Sequence, residues 1–113
     1  MTDDRLITAG PLTLRVNSRD GDGVRIEVDG ELDIATAAVL HKQLFEDGIG
    51  PHQRITLDLS GLTFIDSCGI KEIIRAHESL NDGEVRFSLV GAEGQVAEVI
   101  AITGADEFLV FLD

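Results

Sequence analysis

The sequence contains no tryptophan, no tyrosine and a single cysteine, and its nine basic residues face 21 acidic ones. Without Trp or Tyr the chain has few aromatic platforms on which nucleic-acid bases could stack, and its five Phe are expected in the core. The formal net charge of -12 opposes contact with DNA, RNA or anionic lipid, which carry the same sign. Direct nucleic-acid binding and membrane association are therefore not expected.

Disulfides and long apolar runs are also missing. Cys68 has no second cysteine to pair with, which fits a reducing compartment. No stretch approaches the ~18 consecutive apolar residues that span a bilayer, and the start MTDDRL does not resemble a signal peptide. We therefore expect a cytoplasmic protein, and 113 residues suit one compact domain.

Hydrophobic periodicity predicts the order β-β-α-β-α-β-α-β. Two alternating segments flank the turn cluster 20–23, which is typical of a β-hairpin. Strands followed by helices then indicate a largely parallel sheet. The predicted strands are 12–16, 24–28, 55–59, 85–90 and 108–112, and the predicted helices are about 35–46, about 67–80 and a third one around 96–103 that ends at Gly104.

Three short segments carry the candidate chemistry. They are residues 30–33 (GELD), 57–62 (LDLSGL) and 64–70 (FIDSCGI). In the last, Asp66 and Ser67 are natural helix N-caps, and Gly69 removes a side chain where a backbone could come close. The amides and dipole at a helix start also favour an anion. From these features alone, a plain cap and a modifiable serine both remain open.

Taken together, these segments closely resemble the STAS family, named for sulfate transporters and anti-sigma factor antagonists. GELD before an Ala/Thr-rich helix start, LDLSGL, and the box read here as residues 66–70 (DSCGI) match its signatures in register. The resemblance runs from about 12 to 112 and implies one STAS domain over 1–113. It also implies an α/β fold: a mixed, mostly parallel sheet of four to five strands with three to four helices mainly on one face.

The family resemblance implies a non-catalytic protein-interaction switch, an anti-sigma factor antagonist. Ser67 would be the phosphorylated residue. The unmodified chain would bind an anti-sigma factor that is itself a GHKL-type serine kinase, phosphorylation would break the complex, and a PP2C-type phosphatase would restore it. No cofactor or metal is implied, and the chain is expected to be a monomer or weak dimer. The expected partner-binding residues are Gly30, Glu31, Asp33, Asp66, Cys68, Gly69, Ile70 and Lys71.

One position departs from the pattern, and it raises a rival interpretation. Cys68 stands where the family commonly has Ser or Thr, and a thiol near a helix start can be nucleophilic. No His has a recognisable relation to it, however, and Arg75 lies one position beyond the tyrosine-phosphatase spacing. Catalysis is not expected.

Two further alternatives concern Asp58 and the partner. Asp58 near a strand end is reminiscent of a phospho-aspartate receiver, but no Lys follows the fourth strand. Within the STAS family, a scaffold subunit of a signalling assembly or an accessory subunit of a lipid or solute transporter stays open. Lys71, at i+4 from Ser67, is placed either to neutralise a phosphate or to remain solvated.

Overall fold

The computed structural model describes residues 3–19, 23–45, 54–80 and 86–112. These residues include six strands and three α-helices. The strands are β1 (Asp3–Ala9), β2 (Leu12–Arg19), β3 (Gly23–Leu32), β4 (Arg54–Asp58), β5 (Leu62–Ile65) and β6 (Arg86–Val90). The helices are α1 (Ala37–Phe45), α2 (Ser67–Leu80) and α3 (Gly94–Thr103), followed by a short 3-10 helix, Ala105–Glu107.

The strands form one mixed sheet in the order β1-β2-β3-β4-β6, with β5 also paired to β3. The first three strands are antiparallel neighbours, and β4, β5 and β6 join through parallel pairs. β3 has two successive partners. Its first half, up to Glu27, pairs with β4, and its end, from Gly30 to Leu32, pairs with β5.

Alternation along the strands places the core on one face of the sheet. In β3, Val24, Ile26 and Val28 are buried, and the residues between them are exposed or half-buried. The other face is polar and includes an Arg15–Glu27 ion pair of 3.7 Å. The helices pack on the apolar face and contribute the buried residues Leu40, Leu44, Ile70, Ile73, Ala76, Val96 and Ile100.

The predicted fold class is confirmed, with six strands where four to five were expected. β1 was missed because its acidic start gives no clear alternation, and β5 because it has four residues. The predicted strand at 108–112 is reduced to a parallel bridge between Leu89 and Phe111. The predicted turn at 20–23 and the stop signals at 48–51 and 81–83 lie mostly or wholly outside the described residues.

The expectation that all five Phe belong to the core is wrong. Phe87 is fully buried, whereas Phe64 is 40% exposed and Phe108 is 60% exposed. Phe45 and Phe111 are half-buried and pack against the core edge. Leucine, isoleucine and valine therefore supply most of the core volume.

No helix in the described part of the chain is long and apolar enough to cross a membrane.

Candidate phosphorylation and partner-binding site

The two motifs at 30–33 and 64–70 meet because β3 and β5 end side by side. Leu32 at the end of β3 pairs with Ile65 at the end of β5. The strands are parallel, so the chain leaves both at the same edge of the sheet. Asp33 and Asp66 follow directly: Asp66 precedes the first turn of α2, and Asp33 precedes the turn 34–36 that leads into α1.

Asp66 caps the start of α2. Its Oδ1 accepts hydrogen bonds from the backbone amides of Cys68 (2.9 Å) and Gly69 (3.0 Å). These are the second and third residues of the helix, the amides that an N-cap side chain normally satisfies. The amide of Asp66 itself donates to the carbonyl oxygen of Leu32 (3.2 Å), which holds the cap against the end of β3.

Ser67 is the first residue of α2, and its side chain is exposed. Its hydroxyl has no hydrogen-bond partner among residues 3–19, 23–45, 54–80 and 86–112. Asp66, rather than Ser67, therefore acts as the cap, and the serine hydroxyl is not used in capping. Lys71, one turn later, is also exposed.

Asp33 and Thr36 form a reciprocal cap before α1. Asp33 Oδ1 accepts from the amides of Ala35 (2.9 Å) and Thr36 (3.2 Å), and the amide of Asp33 donates to Thr36 Oγ1 (3.0 Å). This is the geometry of a capping box. Asp33 and Thr36, predicted to cap the helix, thus hold residues 34–36 as a turn, and α1 begins at Ala37 rather than near 35.

The second oxygen of Asp66 joins the two helix starts. Asp66 Oδ2 accepts a hydrogen bond from the amide of Ile34 (3.3 Å). One carboxylate therefore satisfies the first turn of α2 and also contacts the turn before α1. The side chain of Ile34 is 78% exposed at this point.

Gly30 is required by the backbone at the end of β3. Its φ is +97°, and an added Cβ would lie 1.8 Å from the carbonyl oxygen of Pro11. The same carbonyl accepts a hydrogen bond from the amide of Glu31 (3.1 Å), whose side chain is exposed. Only glycine allows this approach, and it leaves Glu31 on the surface.

Gly69 also allows a close approach, but within the chain. A Cβ there would lie 2.7 Å from the carbonyl oxygen of Leu32 and 2.8 Å from Cγ1 of Ile65. Ile70 is 4% exposed and belongs to the core, and Cys68 is half-buried with a free thiol. Of the predicted α2 contacts, Ser67 and Lys71 are on the surface, whereas Gly69 and Ile70 lie beneath it.

Asp58 is fully engaged in a structural cluster. Its Oδ1 accepts from the amide (2.9 Å) and hydroxyl (2.7 Å) of Ser60, and its Oδ2 from Arg25 (2.5 Å). Burial acts to raise the pKa of Asp58, but the Ser60 hydrogen bonds and the Arg25 charge outweigh it, so the pKa lies below its ordinary 3.8. The carboxylate therefore stabilises the connection between β4 and β5.

Two residues of this region were not identified from the sequence. Ile34 lies off the helical periodicity, and its position between a cap and a helix was the only available signal. Gln95 of α3 bonds both backbone groups of Ile65: its Oε1 accepts from the amide (3.0 Å) and its Nε2 donates to the carbonyl (3.1 Å). Nothing in the local pattern predicts that pairing, since its partner lies 30 residues away.

Within the described ranges no group of three or more His, Cys, Asp or Glu side chains is placed to hold a metal ion.

The STAS domain family model matches residues 13–113. The chain belongs to the STAS domain family. Similar curated proteins include an anti-sigma-F factor antagonist RsfB of Mycobacterium tuberculosis, 27% identical over 100 residues, with 88% of this chain and 81% of that protein covered. Another is an anti-sigma-B factor antagonist of Listeria monocytogenes, 24% identical over 98 residues, with 87% and 86% covered.

A solved structure shares the architecture of this STAS domain. An anti-sigma factor antagonist from Mycobacterium paratuberculosis superposes with a TM-score of 0.79 and is 26% identical. The match covers 93% of this chain and 89% of that one. Each match thus covers most of the relative's own length and most of this STAS domain.

Proposed function

We propose that this STAS domain is an anti-sigma factor antagonist that binds an anti-sigma factor while Ser67 is unmodified and is released when Ser67 is phosphorylated. The anti-sigma factor would be a GHKL-type serine kinase, and a PP2C-type phosphatase would restore the binding form. Residues 1–113 act as one domain with its core at about 12–112. The names of the similar proteins support the antagonist role, which is regulatory rather than catalytic.

The observation that carries the proposal is the exposed Ser67 at the first turn of α2. Asp66 satisfies the helix amides, so the serine hydroxyl is not needed for capping. A kinase can reach the hydroxyl without unfolding the helix. The proposed partner surface around it comprises Gly30, Glu31, Asp33, Asp66, Cys68, Gly69, Ile70 and Lys71, of which Gly69 and Ile70 support the others from beneath.

The charge around Ser67 favours a basic partner surface. Glu31, Asp33 and Asp66 lie at this edge of the sheet, on a chain with a net charge of -12. Lys71 is the basic side chain within one helical turn of Ser67. Opposite charges across an interface accelerate association and fix the orientation of the partner.

Phosphorylation acts on the interface rather than on the fold. A phosphate at a helix N-terminus is tolerated or favourable by roughly 0.3–1 kcal/mol. The same group adds up to about two negative charges to the partner surface. Disrupting a charged contact there costs on the order of 2–5 kcal/mol, which corresponds to about 30-fold to several-thousand-fold in affinity.

The test is to recover the partner by co-purification from the native cell and to incubate the chain with it and ATP. We expect one phosphate by intact mass, mapped to Ser67 and absent in Ser67→Ala. Ser79→Ala is the matched control, because Ser79 is also an exposed serine of α2 but lies about 18 Å further along the helix. Full phosphorylation of Ser67→Ala, or recovery of transporter subunits in place of a kinase, would contradict the proposal.

A further inference from the structure

The carboxylate of Asp66 is shared between two helix starts, and this sharing is not needed for capping. Oδ1 alone accepts both α2 amides, from Cys68 and Gly69. Oδ2 is left to bond the amide of Ile34 at 3.3 Å. Asp66 is also the residue next to Ser67, so any charge added to Ser67 arrives beside this carboxylate.

Ile34 is well suited to be a contact residue. Its side chain is 78% exposed, yet the turn that carries it is held by the Asp33–Thr36 cap and by Asp66. A large apolar side chain on a rigid backbone loses little entropy when a partner covers it. Binding energy is concentrated in a few side chains that fill a pocket near the centre of an interface, within a ring of weaker contacts.

We propose that Ile34 is the apolar anchor of the partner surface and that Asp66 couples its position to the phosphorylation state of Ser67. This rests on the proposed function for the identity of the partner, which would offer an apolar pocket with a basic rim. A phosphate on Ser67 repels the Asp66 carboxylate and competes for the α2 amides. Among the described residues, the bond to Ile34 is the longest of the three that the Asp66 carboxylate accepts, and it lies on the surface, so it breaks first.

The coupling can be tested on the isolated chain, independently of any partner. Asp66→Asn keeps one carbonyl oxygen to cap α2, but its second atom becomes an amide nitrogen that cannot accept from Ile34. In amide spectra we expect the Ile34 proton to move upfield in Asp66→Asn and in the chain carrying phosphoserine at position 67. The Ala35 amide, bonded to Asp33 at 2.9 Å, should be retained.

Two control experiments make the test of the Asp66–Ile34 coupling decisive. Asp33→Asn should not cause this upfield shift of the Ile34 amide, because within the described ranges the acceptor oxygen of Asp33 is Oδ1, which bonds Ala35 and Thr36. Phosphoserine added to Asp66→Asn should cause no further shift of Ile34. An unchanged Ile34 amide in the phosphoserine chain, or a shift that simply adds in the combined variant, would overturn the coupling.

The anchor is tested with the anti-sigma factor recovered by co-purification. Ile34→Ala should weaken its binding about tenfold or more, as truncation of a central contact does. Ile102→Ala is matched, since Ile102 is 83% exposed on the last turn of α3, and it should bind as the native chain does. Equal binding by both variants would refute the anchor. If no anti-sigma factor binds the native chain, the proposed function fails, while the amide spectra still decide the coupling.

Discussion

Asp58 is a buried side chain whose role in this STAS domain is structural. It is 7% exposed, and it is held by two groups of Ser60 and by Arg25. The half-exposed Arg25 is screened by water and contributes little by itself. The hydrogen bonds from Ser60 therefore carry most of the stabilisation.

The pKa of Asp58 predicts how stability depends on pH. Because its folded pKa is depressed, the ionised carboxylate stabilises the fold above its unfolded pKa, and this contribution is lost as pH falls through the folded pKa. Asp58→Asn should cost about 1–2 kcal/mol at pH 7 and clearly less at pH 2–3. Urea unfolding at both pH values measures this. A difference between the two chains that stays constant with pH would contradict it.

At the scale of elements, β5 is held by a strand on one side and by a side chain on the other. β3 pairs with one edge of β5, and on the other Gln95 bonds the amide and carbonyl of Ile65. Ile65 is almost fully buried, so water cannot replace those bonds. Since Ser67 follows two residues later, α3 helps to position the candidate site without touching it.

Replacing Gln95 should therefore destabilise the domain. Gln95→Leu leaves two buried backbone groups unsatisfied, and we expect a loss of about 1–3 kcal/mol in the free energy of unfolding. Gln95→Glu keeps the acceptor for the Ile65 amide and should lose less. Glu98→Leu, on the exposed side of the same helix, is the control. Equal stability of Gln95→Leu and Glu98→Leu would show that the bonds contribute nothing.

Some helices and strands could be predicted from the sequence, and others could not. α2 was predicted at its observed bounds because Ile70 and Ile73 repeat at helical spacing after a cap. β1 and β5 could not be found, since their alternation is short or interrupted by charge, and their pairing comes from β2 and β3. In the same way the motif predicts Ser67 as the candidate site, whereas no local pattern predicts the hydrogen bond between Asp66 and Ile34, which lie 32 positions apart.

For the whole molecule, the dominant electrostatic feature is its net charge of -12 on 113 residues. Its longest dimension is 37 Å. At ~10 mM salt the Debye length is about 30 Å, so nearly all acidic side chains repel one another across the fold. Near 1 M the length falls to about 3 Å and only neighbours interact.

Salt should accordingly stabilise this domain. Between ~10 mM and 500 mM NaCl we expect the Tm to rise by about 4 °C or more, corresponding to roughly 1 kcal/mol of relieved repulsion. A variant with Glu78→Gln and Glu98→Gln, both exposed, has a net charge of -10 instead of -12 and should gain less. Thermal unfolding followed by circular dichroism measures both. A Tm that is flat or falls with NaCl would contradict the prediction.

The internal packing of Gly30 and Gly69 has a consequence for any mutational scan of this family. Both glycines lie within the signature motifs, but a methyl group at either would collide with the chain's own backbone. Substitutions there should lower the cellular abundance of the protein, whereas those at Ser67 or Ile34 should leave abundance intact. A screen that records only loss of signalling would merge these two classes, and pairing it with an abundance readout would separate them.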